Sequence, residues 1–217
     1  FVASIDIGTN STHLLIAQID KDLKSFTIKF TEKSTTRLGE RDEDGNLTEV
    51  SINRVLETLK RFKEYCFSYG VERILAAATS AVREASNGKD LLNKVRDEVG
   101  FQIELISGAE EARLIYLGVL SGMDLDNRSH IIIDIGGGST ELILANSEDT
   151  RALTSARIGA VRLKNDFFDD EPLNTARIEF IKTFIAGSLE PSVGKIKKRI
   201  RKNETISMIA TSGTAIS

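Results

Sequence analysis

The sequence has a single cysteine, Cys66, so no intramolecular disulfide can form, which fits a reducing compartment. It has no uninterrupted apolar run of about 18 residues, the length expected of a membrane-spanning helix. Its first residues show no charged region followed by an apolar signal core. We therefore expect a cytoplasmic protein with no membrane partner.

The sequence also lacks an excess of basic residues, since 29 Lys and Arg stand against 32 Asp and Glu, for a net charge of -3. Broad nucleic-acid binding needs a dominant basic surface, so we expect no nucleic-acid partner. A local basic run, KIKKRIRK (195–202), is typical of a solvated helix face, with a polyanion track as the alternative. With 41% hydrophobic residues, the 217 residues suit one large domain or two small ones.

Two stretches of the chain are nearly the same: IDIGTNSTHLLIA (5–17) and IDIGGGSTELILA (133–145) agree at eight of 13 positions. Each reads as a strand ending in an Asp, a turn of Gly, Ser, Thr or Asn, and a second strand. Glycines that adopt positive φ can direct several N–H groups at one point, and hydroxyls add donors, so such a turn suits an anion. The Asp would repel that anion unless a divalent cation lies between them. An ordinary hairpin turn is the alternative, and the duplication argues against it.

These turns supply most of the candidate site residues. Together with a weaker third turn after a later strand, the predicted phosphate-binding residues are Gly8, Thr9, Asn10, Ser11, Gly136, Gly137, Gly138, Ser139, Thr140, Ser212, Gly213 and Thr214. The predicted metal ligands are Asp6 and Asp134, for Mg²⁺ or alternatively Mn²⁺. Arg83 lies just past a predicted parallel strand, at the end where α/β sheets bind ligands. Its guanidinium is suited to a phosphate, with a surface salt bridge as the alternative.

Apolar periodicity predicts an α/β protein with a three-strand antiparallel meander extended by parallel crossovers, and then the same pattern again. The predicted strands are 2–8, 13–19, 25–33, 73–79, 102–107, 130–136, 140–146, 152–159 and 205–213, and the predicted helices are 49–69, 88–99, 109–121 and 175–189. Strand 73–79 is apolar throughout, so we expect burial on both faces. Pro191 should break or kink the last helix. We predict two duplicated domains, residues 1–124 and 125–217, the second incomplete.

This organisation resembles the superfamily of actin, sugar kinases and heat-shock ATPases, which has two duplicated ribonuclease-H-like domains with a cleft between them. Finer motifs resemble the exopolyphosphatase and guanosine pentaphosphate phosphohydrolase family. They are DIGTNSTHLLIA (6–17), RLGE (37–40), ATSAVREA (78–85), SGAEEARLIYLGV (107–119), DIGGGSTEL (134–142), GAVRL (159–163) and ATSGT (210–214). Family members have a fuller second domain, and Phe1 begins inside a strand, so we expect a part of a longer protein.

The resemblance implies roles for two further residues. Glu110 and Glu111 open a predicted helix, and because adjacent helical residues point about 100° apart, only one should face the cleft. The family favours Glu111 as the general base, whereas acidic first turns also occur as simple capping. The family places Glu141 beside the metal; a solvent-facing strand residue is the alternative.

The expected function is Mg²⁺-dependent hydrolysis of terminal phosphoanhydrides, in inorganic polyphosphate or at the 5′-γ-phosphate of guanosine pentaphosphate. The alternatives are a small-molecule kinase of the same superfamily and a non-catalytic nucleotide- or alarmone-binding module. The sequence leaves open which of the two substrates is preferred. It also leaves open the oligomeric state, for which a homodimer is one option.

Overall fold

The structure is a computed structural model, and it describes residues 1–168 and 174–216 of the chain. Contacts divide the chain into two compact units, Phe1–Ile106 and Ser107–Ser217, which we call the first and the second unit.

The first unit is a five-stranded sheet with helices. Its elements are β1 (Val2–Ile7), β2 (Thr12–Asp20), β3 (Ser25–Ser34), α1 (Glu49–Ser68), β4 (Arg73–Ala78), α2 (Ser80–Glu84), α3 (Gly88–Glu98) and β5 (Glu104–Leu105). The strand order is β3-β2-β1-β4-β5. Strands β1 to β3 pair antiparallel, and β4 and β5 continue the sheet in parallel. The predicted meander with parallel crossovers is therefore confirmed here.

Helix α1 forms where the periodicity predicts it, because Thr48 caps its amino end through a bond from the Ser51 N–H to the Thr48 hydroxyl. The whole predicted apolar face is buried: Ile52, Val55, Leu56, Leu59, Phe62 and Cys66. These residues share one core with alternate residues of β1, β2 and β4, so the helices cover one face of the sheet. The expected burial of β4 on both faces is wrong, since Leu75 on its other face is 48% exposed.

The second unit repeats the plan with four strands. Its elements are α4 (Gly108–Gly122), β6 (Ser129–Ile135), β7 (Thr140–Ala145), β8 (Thr150–Ala156), α5 (Ala160–Phe167), α6 (Thr175–Lys197), β9 (Ile206–Thr211) and α7 (Gly213–Ile216). The order is β8-β7-β6-β9, with β9 parallel to β6. Helix α4 packs on the face that contains Ile132 and Ile143. Helix α6 packs on the opposite face, against Leu142 and Leu144.

Local pattern and structure differ at three places. Helix α4 packs on β7 and β8 and therefore belongs to the second unit. The predicted domain boundary at 124/125 concerns the extent of the duplication, and it stays a prediction. Strand β5 is limited to Glu104–Leu105 because only these residues pair with β4. Helix α6 continues through Pro191, so the predicted break is wrong, and the alternative of a kink stays a prediction. Burial of Ile181 before the proline and Ile196 after it supports the helix on both sides.

Among the described helices, none has the length and apolar character needed to cross a bilayer.

Candidate active site

The two repeated turns have the same backbone geometry. The N–H of Gly8 donates to the Ser11 carbonyl at 3.0 Å, and the N–H of Gly136 donates to the Ser139 carbonyl at 3.0 Å. A Cβ at Gly8 would lie 3.0 Å from the Ser11 carbonyl oxygen, and one at Gly136 3.1 Å from that of Ser139, so glycine suits both close approaches. The expected positive φ is wrong for both turns; among the described glycines it occurs at Gly45, Gly70 and Gly100.

The first turn is held by a neighbouring loop and by α2. The N–H groups of Arg37 and Gly39 donate to the carbonyls of Asn10 and Thr9, at 2.8 and 2.7 Å. The Thr9 hydroxyl lies 2.9 Å from that of Ser80, and both residues are buried. Arg37 itself has a φ of 48°, in the left-handed region that few residues other than glycine adopt. The carbonyl groups of Thr9 and Asn10 thus accept hydrogen bonds from the loop that contains Arg37 and Gly39.

The second turn is held in the same way by the first turn of α5. The N–H of Ala160 donates to the Gly136 carbonyl, and those of Val161 and Arg162 donate to the Gly137 carbonyl, at 2.9–3.0 Å. The Arg162 Nε adds a bond of 3.1 Å to the Gly138 carbonyl. All three glycine carbonyls of the turn therefore point toward α5, and the orientation of the turn depends on this helix.

Gly159 makes that contact sterically feasible. A Cβ at this position would lie 2.5 Å from the Gly137 carbonyl carbon and oxygen and 2.6 Å from the Gly138 nitrogen. Gly159 begins the motif GAVRL, but the sequence by itself predicts no role for this glycine. The glycine before a short amphipathic stretch was the available signal.

Glu110 and Glu111 take different environments at the start of α4, as the helical geometry predicts. The Ser107 hydroxyl caps the helix by accepting the Glu110 N–H at 3.2 Å. Glu110 is bound by Arg113 through two bonds of 2.8 and 2.7 Å, which lower the pKa of that carboxyl. Glu111 instead lies close enough to Glu141 to raise the pKa of Glu141. Of the two, Glu111 is therefore the one near the predicted metal ligands of the second unit.

Glu141 is buried, with 1% of its surface exposed, so the alternative of a solvent-facing strand residue is wrong. Burial, then the negative charge of Glu111 and more weakly that of Asp134, raise the pKa of Glu141 from 4.5 to about 8. Ser155 opposes this by donating its hydroxyl to Glu141 Oε1 at 2.7 Å, and Ser139 also bonds the carboxylate. On the other side of Asp134, the Thr211 hydroxyl donates to Asp134 Oδ2 at 2.6 Å.

A divalent cation fits this donor set. Burial, and after it the charges of Glu111 and Asp134, raise the pKa of Glu141, and a cation beside this carboxylate would offset both effects. In the part of the chain that the structure describes, no group of three or more His, Cys, Asp or Glu side chains is placed to enclose an ion. Mg²⁺ is usually held by one or two carboxylates together with several waters and substrate phosphates. Asp134 and Glu141 can supply the two carboxylates.

The remaining predicted residues have structural partners. Arg83 donates to the Ile106 carbonyl at 2.8 Å, and the Thr140 hydroxyl donates to the Ile158 carbonyl at 2.7 Å. Asp6 lies on β1 opposite His13 of β2. In the third turn, Ser212 has a φ of 73°, and Gly213 and Thr214 begin the short helix α7. Their binding roles stay predictions.

Comparison with known proteins identifies relatives over nearly the whole chain. A sequence model of the Ppx/GppA phosphatase family matches residues 15–216. The chain is 41% identical to a bifunctional 3-dehydroquinate synthase/phosphatase of Fusobacterium nucleatum, covering 76% of this chain and 26% of that protein. It is 32% identical to Exopolyphosphatase 1 of Mycobacterium tuberculosis, with 87% and 55% covered. It is 35% identical to a guanosine-5'-triphosphate,3'-diphosphate pyrophosphatase of Vibrio parahaemolyticus, with 82% and 35% covered.

The fold is also that of solved relatives. The structure is similar to the crystal structure of an exopolyphosphatase from Cytophaga hutchinsonii, with a TM-score of 0.89 and 33% identity. That match covers 98% of this chain and 67% of the other. The chain thus spans about half or less of the length of the curated relatives named above.

Proposed function

Because the chain belongs to the Ppx/GppA phosphatase family, we propose that it takes part in hydrolysis of terminal phosphoanhydride bonds, releasing orthophosphate from inorganic polyphosphate or from guanosine pentaphosphate. The observation that carries the proposal is the approach of Glu111 and Asp134 to Glu141, next to a glycine turn that α5 holds in place. The relatives named exopolyphosphatase and guanosine-5'-triphosphate,3'-diphosphate pyrophosphatase support the substrate class.

In this proposal, Glu111 is the general base. Its place in the first turn of α4 is fixed by the Ser107 cap, and a carboxylate there is able to orient a water molecule and accept its proton. Phosphoryl transfer to water needs little other covalent chemistry from the protein, so positioning and charge stabilisation provide most of the rate. The attacking water must therefore lie in line with the bond that breaks, with Glu111 within hydrogen-bonding distance of that water.

The second turn would bind the terminal phosphate. Its glycine carbonyls are engaged by α5, and this leaves the amide side of the turn to meet an anion. Asp134 and Glu141 would hold Mg²⁺, which supplies positive charge to the phosphate oxygens when it is bound. Asp6 is the counterpart of Asp134 in the first unit, and its role as a metal ligand rests on the duplication alone.

The test compares Glu111→Gln with Glu110→Gln, two neighbouring and isosteric changes. Phosphate release from long-chain polyphosphate and from guanosine pentaphosphate is measured with Mg²⁺ present. We expect Glu111→Gln to lose activity by roughly 10²- to 10⁴-fold, the usual contribution of a general base. Glu110→Gln removes only an exposed pair with Arg113 and should retain activity.

Equal activities of the two variants would refute the assignment of Glu111. If the unmodified protein released phosphate from neither substrate, the hydrolase proposal would fail. Transfer of phosphate from ATP to a small acceptor would then favour the kinase alternative.

A further inference from the structure

Four side chains form one row across the whole second sheet. Ser155 of β8 lies directly opposite Glu141 of β7, which lies opposite Asp134 of β6, which in turn lies opposite Thr211 of β9. Directly opposed residues point to the same face, with Cβ atoms about 4.5–5.5 Å apart. This face is the one on which α4 packs, because Ile132 and Ile143 lie two residues from Asp134 and Glu141. The row therefore lies on the face of the sheet that α4 covers.

Within the row, each carboxylate is bonded from its outer side. The Ser155 hydroxyl binds Glu141 Oε1 at 2.7 Å, and the Thr211 hydroxyl binds Asp134 Oδ2 at 2.6 Å. Hydroxyl-to-carboxyl bonds this short are among the stronger hydrogen bonds in proteins. Each one fixes the rotation of its carboxylate and involves one oxygen of that carboxylate. The two acidic groups at the centre are thus oriented from both ends.

The first unit offers an internal comparison. Its corresponding row, read from the strand pairing, is Lys33 of β3, His13 of β2, Asp6 of β1 and Ala77 of β4. That row has one carboxylate and no hydroxyl. The flanking hydroxyls are therefore no general feature of the duplicated sheet, and they occur where two carboxylates adjoin.

We propose that Ser155 and Thr211 are positioning residues, whose hydroxyls hold Glu141 and Asp134 in the orientation in which this pair binds a divalent cation. The inference rests on the proposed function in placing a cation at this pair. Groups that hydrogen-bond the ligands of a metal typically change its affinity by about 10- to 100-fold. Neither residue touches the substrate in this account.

The test measures binding of Mn²⁺, a paramagnetic stand-in for Mg²⁺, by electron paramagnetic resonance without substrate. Ser155→Ala and Thr211→Val remove the hydroxyls, and we expect each to raise the Kd for Mn²⁺ by roughly 10- to 100-fold. Ser155→Thr and Thr211→Ser keep a hydroxyl and should bind Mn²⁺ within about threefold of the unmodified protein. Ser207→Ala is the control, since Ser207 lies on the same face of β9 at its other end and should leave the Kd unchanged.

Thermal unfolding of each variant identifies a merely structural effect. If the hydroxyl-deleting variants bind Mn²⁺ as tightly as the unmodified protein, the positioning role is refuted. It is equally refuted if the hydroxyl-keeping variants are as weak as the deletions, or if the unmodified protein binds no Mn²⁺. Because no turnover is needed, tight Mn²⁺ binding without phosphate release would refute the proposed hydrolase and leave this inference standing.

Discussion

Gly159→Ala tests whether the contact with α5 fixes the second turn. The added Cβ would lie 2.5 Å from the carbonyl of Gly137, whereas carbon atoms pack favourably at about 3.5–4.0 Å. The atoms that the Cβ would meet belong to the backbone of Gly137 and Gly138, so no side chain can rotate away to make room. The second turn and α5 must therefore separate by roughly 1 Å.

That separation acts on three backbone hydrogen bonds, from Ala160, Val161 and Arg162. With about 1–3 kcal/mol for overpacking and about 0.5–1.5 kcal/mol for the loss of one of these bonds, we expect a loss of about 2–4 kcal/mol in unfolding free energy. In a chain of this size, this corresponds to a fall in Tm of roughly 5–15 °C. Under the proposed function, a displacement of about 1 Å at this turn should also lower the rate of phosphate release by roughly 100-fold.

The assay combines thermal unfolding with phosphate release at a temperature at which the variant is still folded. Gly118→Ala is the matched control, because a Cβ at this position of α4 has no atom within 4 Å. It should be neutral or stabilise the protein by up to about 1 kcal/mol, as alanine does in helices. A Gly159→Ala protein with unchanged Tm and activity would refute the bracing of the turn by α5.

Three further substitutions test the hydrogen-bond networks of the two units. Arg151, together with Ser129 and the Arg201 N–H, lowers the pKa of Glu204 from 4.5 to about 2. Ionised Glu204 therefore stabilises the fold above pH 4.5, and this stabilisation is lost as the pH falls toward 2. Glu204→Gln should therefore unfold at lower urea concentration than the unmodified protein at pH 7, and the difference should shrink in acid; a constant difference would contradict the cause. In the first unit, Thr9→Val and Ser80→Ala each leave a buried hydroxyl without its partner and should each cost about 1–3 kcal/mol. The double variant should cost less than their sum in urea unfolding, and strict additivity would show that the two hydroxyls do not interact.

Local sequence patterns determined much of the architecture. The apolar face of α1, the two meanders and the strand TISMIATSG form where the periodicity predicts them, because each buries its apolar side locally against its neighbours. The duplication of IDIG-containing turns predicted equivalent hairpins, and both turns close with the same backbone bond of 3.0 Å. The motif SGAEEAR also placed Glu110 and Glu111 correctly in the first turn of a helix.

Only the tertiary structure decided which groups meet. Ser155 lies 14 residues from Glu141 in sequence, and Thr211 lies 77 residues from Asp134; strand register alone brings each pair together. The raised pKa of Glu141 requires burial and the approach of Glu111 from α4. The role of Gly159 depends on backbone contact with a turn formed earlier in the chain, and α6 passes Pro191 because it is packed on both sides. Local sequence indicates which secondary structure a residue favours, whereas the pairing of distant segments determines which side chains it contacts.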